Sequence, residues 1–264
     1  MRRRAQDGEP RTRWLRGVGA HASVEPDAFV PGAWILSIGG AEQSHVDLGH
    51  PEHVFYAYLR RIANVVDAVA PAGTQIRALH LGAGALTLAR YVQATRPGSV
   101  QTAVELEREL ADFVLEHLPL PEGTDLETVI GDARWELTTV GARGPYDVVV
   151  LDVFSGPDAP EHLADAGFYA EAAALLAPGG ALVVNIGDEP PLALVRSQLA
   201  AMRSVLAEVA VLTEPDMLTA RFPGNVVAVG LRGAWPEGWT ERLTEAGPHP
   251  GVLVRGVELD ALSD

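Results

Sequence analysis

The run Ala78-Leu-His-Leu-Gly-Ala-Gly-Ala-Leu-Thr87 constrains the fold more than any other stretch of this chain. An apolar, strand-like segment ends at Gly82-x-Gly84 and passes directly into a helix-like stretch, 86–95. Two glycines at a strand-to-helix turn let the backbone approach a ligand closely, and the helix start offers free N–H groups. The next apolar run, Val100-Gln-Thr-Ala-Val-Glu105, ends in an acid. A carboxylate at that position can accept hydrogen bonds from two ribose hydroxyls. The pair indicates a nucleotide-type cofactor without specifying which one.

The rest of the chain continues the pattern. Strands are expected near 76–81, 100–105, 126–130, 146–151, 180–186, 209–213 and 225–231. Helices are expected near 86–95, 107–117, 133–139, 165–177, 190–207 and 236–246. Strands separated by helical patterns give a parallel sheet covered on both faces. Tyr146-Asp-Val-Val-Val-Leu151 is nearly all apolar, as a central strand should be. No helical pattern separates the last two strands, which could pair antiparallel at an edge. Upstream, Trp34-Ile-Leu-Ser-Ile38, Gly39-Gly40 and Glu42-Gln-Ser-His-Val46 read as a hairpin. Val54, Tyr58, Ile62, Val65 and Val69 recur at helical spacing, predicting a helix over 51–70 with Pro51 in its first turn. Residues 1–20 hold six arginines without an apolar period and read as a mobile tail. The domain division is therefore 1–20 tail, 21–50 small β-element and 51–264 cofactor-binding domain.

Composition removes several chemistries. The chain has 264 residues and no cysteine, so thiolate metal sites and disulfides are excluded. All 20 basic residues are arginine, which removes Schiff-base chemistry on a lysine and the P-loop lysine. The histidines show no metal spacing, and His80 inside a strand reads as core; no metal is expected. A net charge of −15 disfavours nucleic acid and suits a cationic ligand. No apolar run is long enough to span a membrane and no secretory h-region is seen, so the expected location is cytoplasmic.

In an open α/β sheet, ligands bind at the carboxyl ends of the strands. Here those ends carry Gly82-Ala-Gly84, Glu105, Gly131-Asp132-Ala133, Asp152 and Asn185-Ile-Gly-Asp188. Each has an ordinary structural explanation: Asp132 could be a helix cap and Glu105 a solvated helix start. Their succession at strand ends points to one crevice. Thr87 stands where a dinucleotide fingerprint needs its third glycine, which favours an S-adenosyl cofactor over NAD.

The order Gly-x-Gly, acid, Gly-Asp-Ala, acid resembles class I S-adenosylmethionine-dependent transferases. Such folds are α/β, with a Rossmann-like sheet of seven strands, helices on both faces and the last strand antiparallel. More narrowly, the chain is similar to the spermidine synthase (polyamine aminopropyltransferase) family, in a diverged actinobacterial-type branch. The residues carrying the resemblance are 40–47 (Gly-Ala-Glu-Gln-Ser-His-Val-Asp), 79–91, Val104-Glu-Leu-Glu107, Gly131-Asp-Ala-Arg134, Leu151-Asp-Val-Phe-Ser-Gly156 and Leu176-Ala-Pro-Gly-Gly180, within about 33–231. The family's small N-terminal β-element corresponds to the hairpin.

The resemblance implies aminopropyl transfer from decarboxylated S-adenosylmethionine to a polyamine such as putrescine. Gly82, Ala83, Gly84, Glu105, Leu106, Asp132, Ala133 and Gln43 would contact the cofactor, with Glu105 on the ribose and Asp132 on the adenine amino group. Asp152 would be the catalytic acid–base group, and His45, Tyr58 and Asp188 would face the amine. A homodimer is expected by the same analogy. The chain departs from the family at Ala85-Leu86, where an acid usually contacts the aminopropyl ammonium. It departs again at Ser155-Gly156-Pro157 and Asp158-Ala-Pro160, and at Phe55-Tyr-Ala-Tyr58, where the family carries Tyr-His-Glu. Two alternatives therefore stay open: methyl transfer from intact S-adenosylmethionine to a small molecule, and a non-catalytic binding or assembly protein.

Overall fold

A computed structural model describes residues 10–153, 160–219 and 221–259. Phe154-Ser-Gly156, Pro157 and Asp158 lie outside the described residues, as do positions 1–9 of the expected tail. Within the described residues no helix is long and apolar enough to cross a membrane.

The chain opens with an antiparallel four-stranded sheet in sequential order: β1 (Arg11–Leu15), β2 (Ala20–Pro26), β3 (Ala33–Ile38) and β4 (Ala41–Asp47). The expected hairpin is β3–β4. The expected tail is corrected, because Arg11–Leu15 pairs with β2 along its whole length. The arginines that hid this strand have partners. Arg11 lies over the Trp34 ring and Arg13 over Phe113, and Arg13 also reaches Glu116 Oε2 at 2.8 Å. Their stems lie on the same face as buried Leu15 while their heads find aromatic faces and a carboxylate.

Next come α1 (Ala57–Ala68), β5 (Arg77–Leu81), α2 (Thr87–Thr95), β6 (Val100–Glu105), α3 (Arg108–His117), β7 (Asp125–Ile130), α4 (Leu137–Gly141) and β8 (Tyr146–Leu151). A short 3-10 turn, Glu161–Leu163, precedes α5 (Ala166–Ala174), β9 (Leu176–Asp188), α6 (Ala193–Arg203), β10 (Glu208–Thr213), α7 (Pro215–Leu218), β11 (Gly224–Leu231), α8 (Trp239–Glu245) and β12 (Val252–Arg255). The helix expected from Pro51 starts six residues later. Asp47 Oδ1 accepts the N–H groups of Gly49 and His50, turning the chain, and Phe55 stacks on His45 before α1 begins.

The main sheet has eight strands in the order β12-β10-β11-β9-β8-β5-β6-β7. β9, β8, β5, β6 and β7 are parallel, and β11 is antiparallel to both its neighbours. The expected antiparallel pair exists, but the edge belongs to β12, an eighth strand beyond the seven expected. From β5 the chain moves outward through β6 and β7, then returns to β5's other side at β8. That reversal makes the carboxyl ends of β5 and β8 a topological switch point, the place where open α/β sheets bind ligands.

Period-two alternation sorts the central strands between two cores. Leu79, Leu81, Val149, Leu151, Leu182 and Val184 face α5 and α6, whereas Ala78, Val148, Val150 and Val183 face α1 and α2. His80, expected as core, is buried with Nε2 at 3.0 Å from Gln101 Oε1. A third cluster joins the small sheet to α2 and α3 through Leu15, Val24, Leu36, Val46, Ala85, Leu86, Phe113 and Val114.

Buried guanidinium groups close the helix ends. Arg96, 1% exposed, donates to the carbonyls of Asp67, Ala70, Pro71 and Thr74 at the C-terminal end of α1. Asp67 is in the last turn of α1, where carbonyls lack intrahelical partners and a cation meets the negative end of the dipole; Ala70, Pro71 and Thr74 belong to the loop that follows. Arg96→Met removes all four bonds and should lower unfolding stability by about 3 kcal/mol, read from urea denaturation.

Candidate active-site crevice

The site is built around a turn whose backbone favours glycine. Gly82 has φ +91° and Gly84 φ +49°, both in the left-handed region. A Cβ on Gly82 would overlap the Asp152 carbonyl and come within 3.0 Å of Val153 Cγ1. The turn therefore packs directly against the end of β8. Asp152 N donates to Leu81 O at 2.9 Å, and Gly82 N to Val104 O at 3.0 Å, so the ends of β5, β6 and β8 are fastened together.

Glu105, at the end of β6, is buried beneath this turn. Its Oε2 accepts Ala83 N–H at 3.2 Å and its Oε1 accepts Glu107 N–H at 2.9 Å. Burial pushes its carboxyl up, against the downward pull of the N–H groups of Glu107, Ala83 and Gly84. The adjoining Leu106 is 65% exposed.

The small sheet clamps the turn from the other side. Ser44 Oγ accepts Ala85 N–H at 3.1 Å, and Thr87 Oγ1 donates to His45 O at 3.2 Å. Sequence reasoning singled out Gln43, but its amide returns to Ala41 O at 3.3 Å within its own hairpin, and the neighbouring Ser44 touches the turn. Ala85 and Leu86 are buried against the small sheet, Leu86 with φ +59°. These positions dock the glycine turn onto β4 where the family carries an acid.

Asp152 is partly buried at the end of β8. Its Oδ1 accepts from Asn185 Nδ2 at 2.8 Å, and Asn185 Oδ1 accepts from Asn225 Nδ2 at 3.1 Å. Burial raises its carboxyl to about 6, with the Asn185 bond opposing. Tyr58 faces it from α1: burial first, then the Asp152 charge, push the phenol well above its ordinary value. The Tyr58 ring is parallel to Tyr56 (6.1 Å between centroids, 12°), and Tyr56 OH donates to Glu42 Oε2 at 3.3 Å. Burial and that carboxylate push the Tyr56 phenol up to about 12.

The other expected residues are placed as follows. Asp132, after β7, accepts Arg134 N–H at 2.9 Å, and its Oδ2 lies 2.8 Å from His162 Nε2. Desolvation would raise its carboxyl, but His162 and the N–H groups of Arg134 and Trp135 outweigh this and hold it low. Ala133 beside it is buried. His45 is buried with Nε2 at 2.9 Å from Asp27 Oδ2 and its ring stacked on Phe55 at 4.3 Å. Asp188 accepts the N–H groups of Glu189 and Val195, both at 2.8 Å, so both its oxygens serve the loop and start of α6. Asn225 and His162 were not singled out from sequence, because each acquires its place only through a partner at least 30 residues away.

The chain matches no protein-family model. A probable spermidine synthase from Corynebacterium glutamicum superposes with TM-score 0.85 at 29% identity, covering 97% of this chain and 94% of that one. The polyamine aminopropyltransferase of Vibrio vulnificus is 29% identical over 110 residues, 41% of this chain and 37% of that protein. The Neisseria meningitidis enzyme of the same name is 26% identical over 147 residues, 54% of this chain and 53% of that protein. The matched stretches thus span about half or less of these curated relatives. By sequence and fold together, this chain is similar to the spermidine synthase (polyamine aminopropyltransferase) family, on a class I methyltransferase-like scaffold.

Proposed function

We propose that the chain is an aminopropyltransferase, moving an aminopropyl group from decarboxylated S-adenosylmethionine to a polyamine such as putrescine. The observation that carries this reading is Asp152: a carboxylate at the switch point, beside the glycine turn, half-occupied by Asn185 and faced by Tyr58. The cofactor fits the chain's own donors and acceptors. Gly82, Ala83 and Gly84 would bring backbone close to the cofactor, with Gly82 and Gly84 left-handed and packed against Asp152 and Ser44, and the Glu105 carboxylate would accept from two ribose hydroxyls. Leu106 and Ala133 would flank the base and Asp132 would accept from its amino group, sharing its Oδ2 with His162. Gln43 would stand at the entrance.

The cofactor supplies a carbon activated by its bond to a sulfonium. In the transfer the amine nitrogen bonds to that carbon, the carbon–sulfur bond breaks, and methylthioadenosine leaves. An alkylamine near pKa 10 is almost wholly protonated at neutral pH and must first lose a proton. Asp152 accepts it and passes it to water, and with Tyr58 it orients the nitrogen. His45 and Asp188 act behind this point, His45 through the aromatic group Phe55–Tyr56 and Asp188 through the start of α6. The same reading carries a cytoplasmic homodimer with no metal and no nucleic-acid partner.

The buried Ala85–Leu86 pair favours one second reading, methyl transfer from intact S-adenosylmethionine, because no carboxylate there awaits the aminopropyl ammonium. Calorimetry with intact and decarboxylated cofactor separates the two: preference for the decarboxylated form is expected, and preference for the intact form overturns aminopropyl transfer. Glu105→Gln should weaken methylthioadenosine binding by about 10–100-fold in the same measurement, as expected for losing charge-assisted hydrogen bonds.

Asp152→Asn should reduce kcat by at least about 100-fold, the lower end of general acid–base contributions. In the parent chain, turnover should fall as pH drops through about 6, where Asp152 takes up its proton. Stability moves the other way. The folded-state pKa is raised from the ordinary 3.8, so the carboxyl's favourable contribution is fully present below about pH 4 and is lost as pH rises through about 6. The Asn variant should therefore be more stable than the parent at pH 8, by about 2–3 kcal/mol in urea unfolding.

A further inference from the structure

The mechanism above uses Asp152 but leaves the groups behind it without a role. Behind Asp152 runs a two-amide chain. Asn185, on β9, donates to Asp152 Oδ1 at 2.8 Å, and Asn225, on β11, donates to Asn185 Oδ1 at 3.1 Å. β11 is antiparallel to β9, and Asn225 sits opposite Gly187 rather than opposite Asn185. A Cβ on Gly187 would lie 3.6 Å from Asn225 Nδ2, so a longer side chain there would crowd the path the amide takes to Asn185. Asn225 is itself tied down, its backbone carbonyl accepting from the fully buried Thr213 hydroxyl at 2.9 Å.

The direction of this chain has a chemical consequence. An amide presents a donor at one end and an acceptor at the other. With its carbonyl engaged by Asn225, Asn185 turns its NH2 toward Asp152. A carboxylate can use that donor, whereas a protonated carboxyl would prefer the opposite end. Hydrogen bonds to an ionised group are roughly twice as strong as neutral ones and polarise the next bond in line. The relay therefore favours the ionised carboxylate by more than it favours the acid.

We propose that Asn225 is a positioning residue: acting through Asn185, it holds a donor on Asp152 Oδ1 and keeps that carboxylate in its proton-accepting form. Among the described residues, the surroundings of Asp152 leave this task to the amides. From α1 the group facing it is the Tyr58 phenol, from the β5 end the Gly82 backbone, and from β9 Asn185. The nearby strand-end acids Glu105 and Asp132 are occupied by their own donors. The inference rests on Asp152 being the proton acceptor of the proposed reaction.

The test is the titration of Asp152 in the full chain without substrate, followed by carboxyl-carbon NMR with the resonance assigned from Asp152→Asn. Asn225→Leu removes the donor, and the isosteric Asn225→Asp replaces it with an acceptor that turns the Asn185 amide around. Thermal unfolding verifies that each variant is folded. The Asp152 midpoint should rise by about one pH unit in Asn225→Leu and further in Asn225→Asp. The acid limb of the turnover profile should move up by the same amounts. Unchanged midpoints in both variants overturn the relay, and so does a rise confined to the charged Asn225→Asp. A midpoint that moves in a parent chain lacking aminopropyl transfer upholds the relay and sinks the proposed reaction. Turnover with an immobile midpoint does the reverse.

Discussion

The backbone of Gly82 lies against the Asp152 carbonyl, and the rest of the site takes its position from that contact. It exists because the chain leaves β5 on one side and returns to it on the other, so the ends of β5 and β8 are adjacent with no connection between them. Such a junction stays open at its carboxyl end, and the parallel ladder fixes which residues emerge there. Val104 O receives Gly82 N–H, and Leu81 O receives Asp152 N–H. Glu105 is then the last residue of β6, and Asp152 the first beyond β8. Substituting Gly82 would act twice, through its left-handed φ and through the space it leaves, so its loss would displace both acids together.

Arginine does structural work inside this acidic chain. Arg90 is 1% exposed and donates to Ala85 O at 3.0 Å, Pro119 O at 2.7 Å and Leu118 O at 2.6 Å. It thus links the glycine turn to the C-terminal end of α3, as Arg96 closes α1. Burial lowers the Arg90 guanidinium to about 10, which leaves it charged at neutral pH. A planar fork with five donors can bond several carbonyls at once, which a lysine ammonium on its flexible stem does less well. Absence of lysine therefore does not leave the interior short of cations.

What was legible from sequence was whatever depended on local periodicity. Alternation placed the central strands, and the strand ends carried Glu105, Asp132 and Asp152 into view. What was not legible depended on partners distant in sequence. Arg11–Leu15 reads as a charged tail until Trp34, Phe113 and Glu116 supply surfaces for its arginines. β12 is four residues long and acquires meaning only against the edge of β10. Asp188 reads as one more crevice acid, yet its oxygens are taken by Glu189 and Val195. The Ala85-Leu86 departure reads as a lost charge; in the fold it is apolar surface buried beneath β4.

These substitutions give the crevice an uneven electrostatic character. Asp132 is paired with His162 and held low, whereas burial raises both Glu105 and Asp152. Their donors are backbone N–H groups and one amide, so no formal positive charge is among the partners identified for either. Two carboxylates kept partly from water without a counter-ion cost stability, and a ligand carrying positive charge removes that cost on binding. Decarboxylated S-adenosylmethionine carries a sulfonium and an ammonium, and a polyamine carries two or more ammonium groups. An acceptor lacking a charge would leave that cost in place, which is the electrostatic argument behind the cationic substrate proposed for the β5–β8 junction.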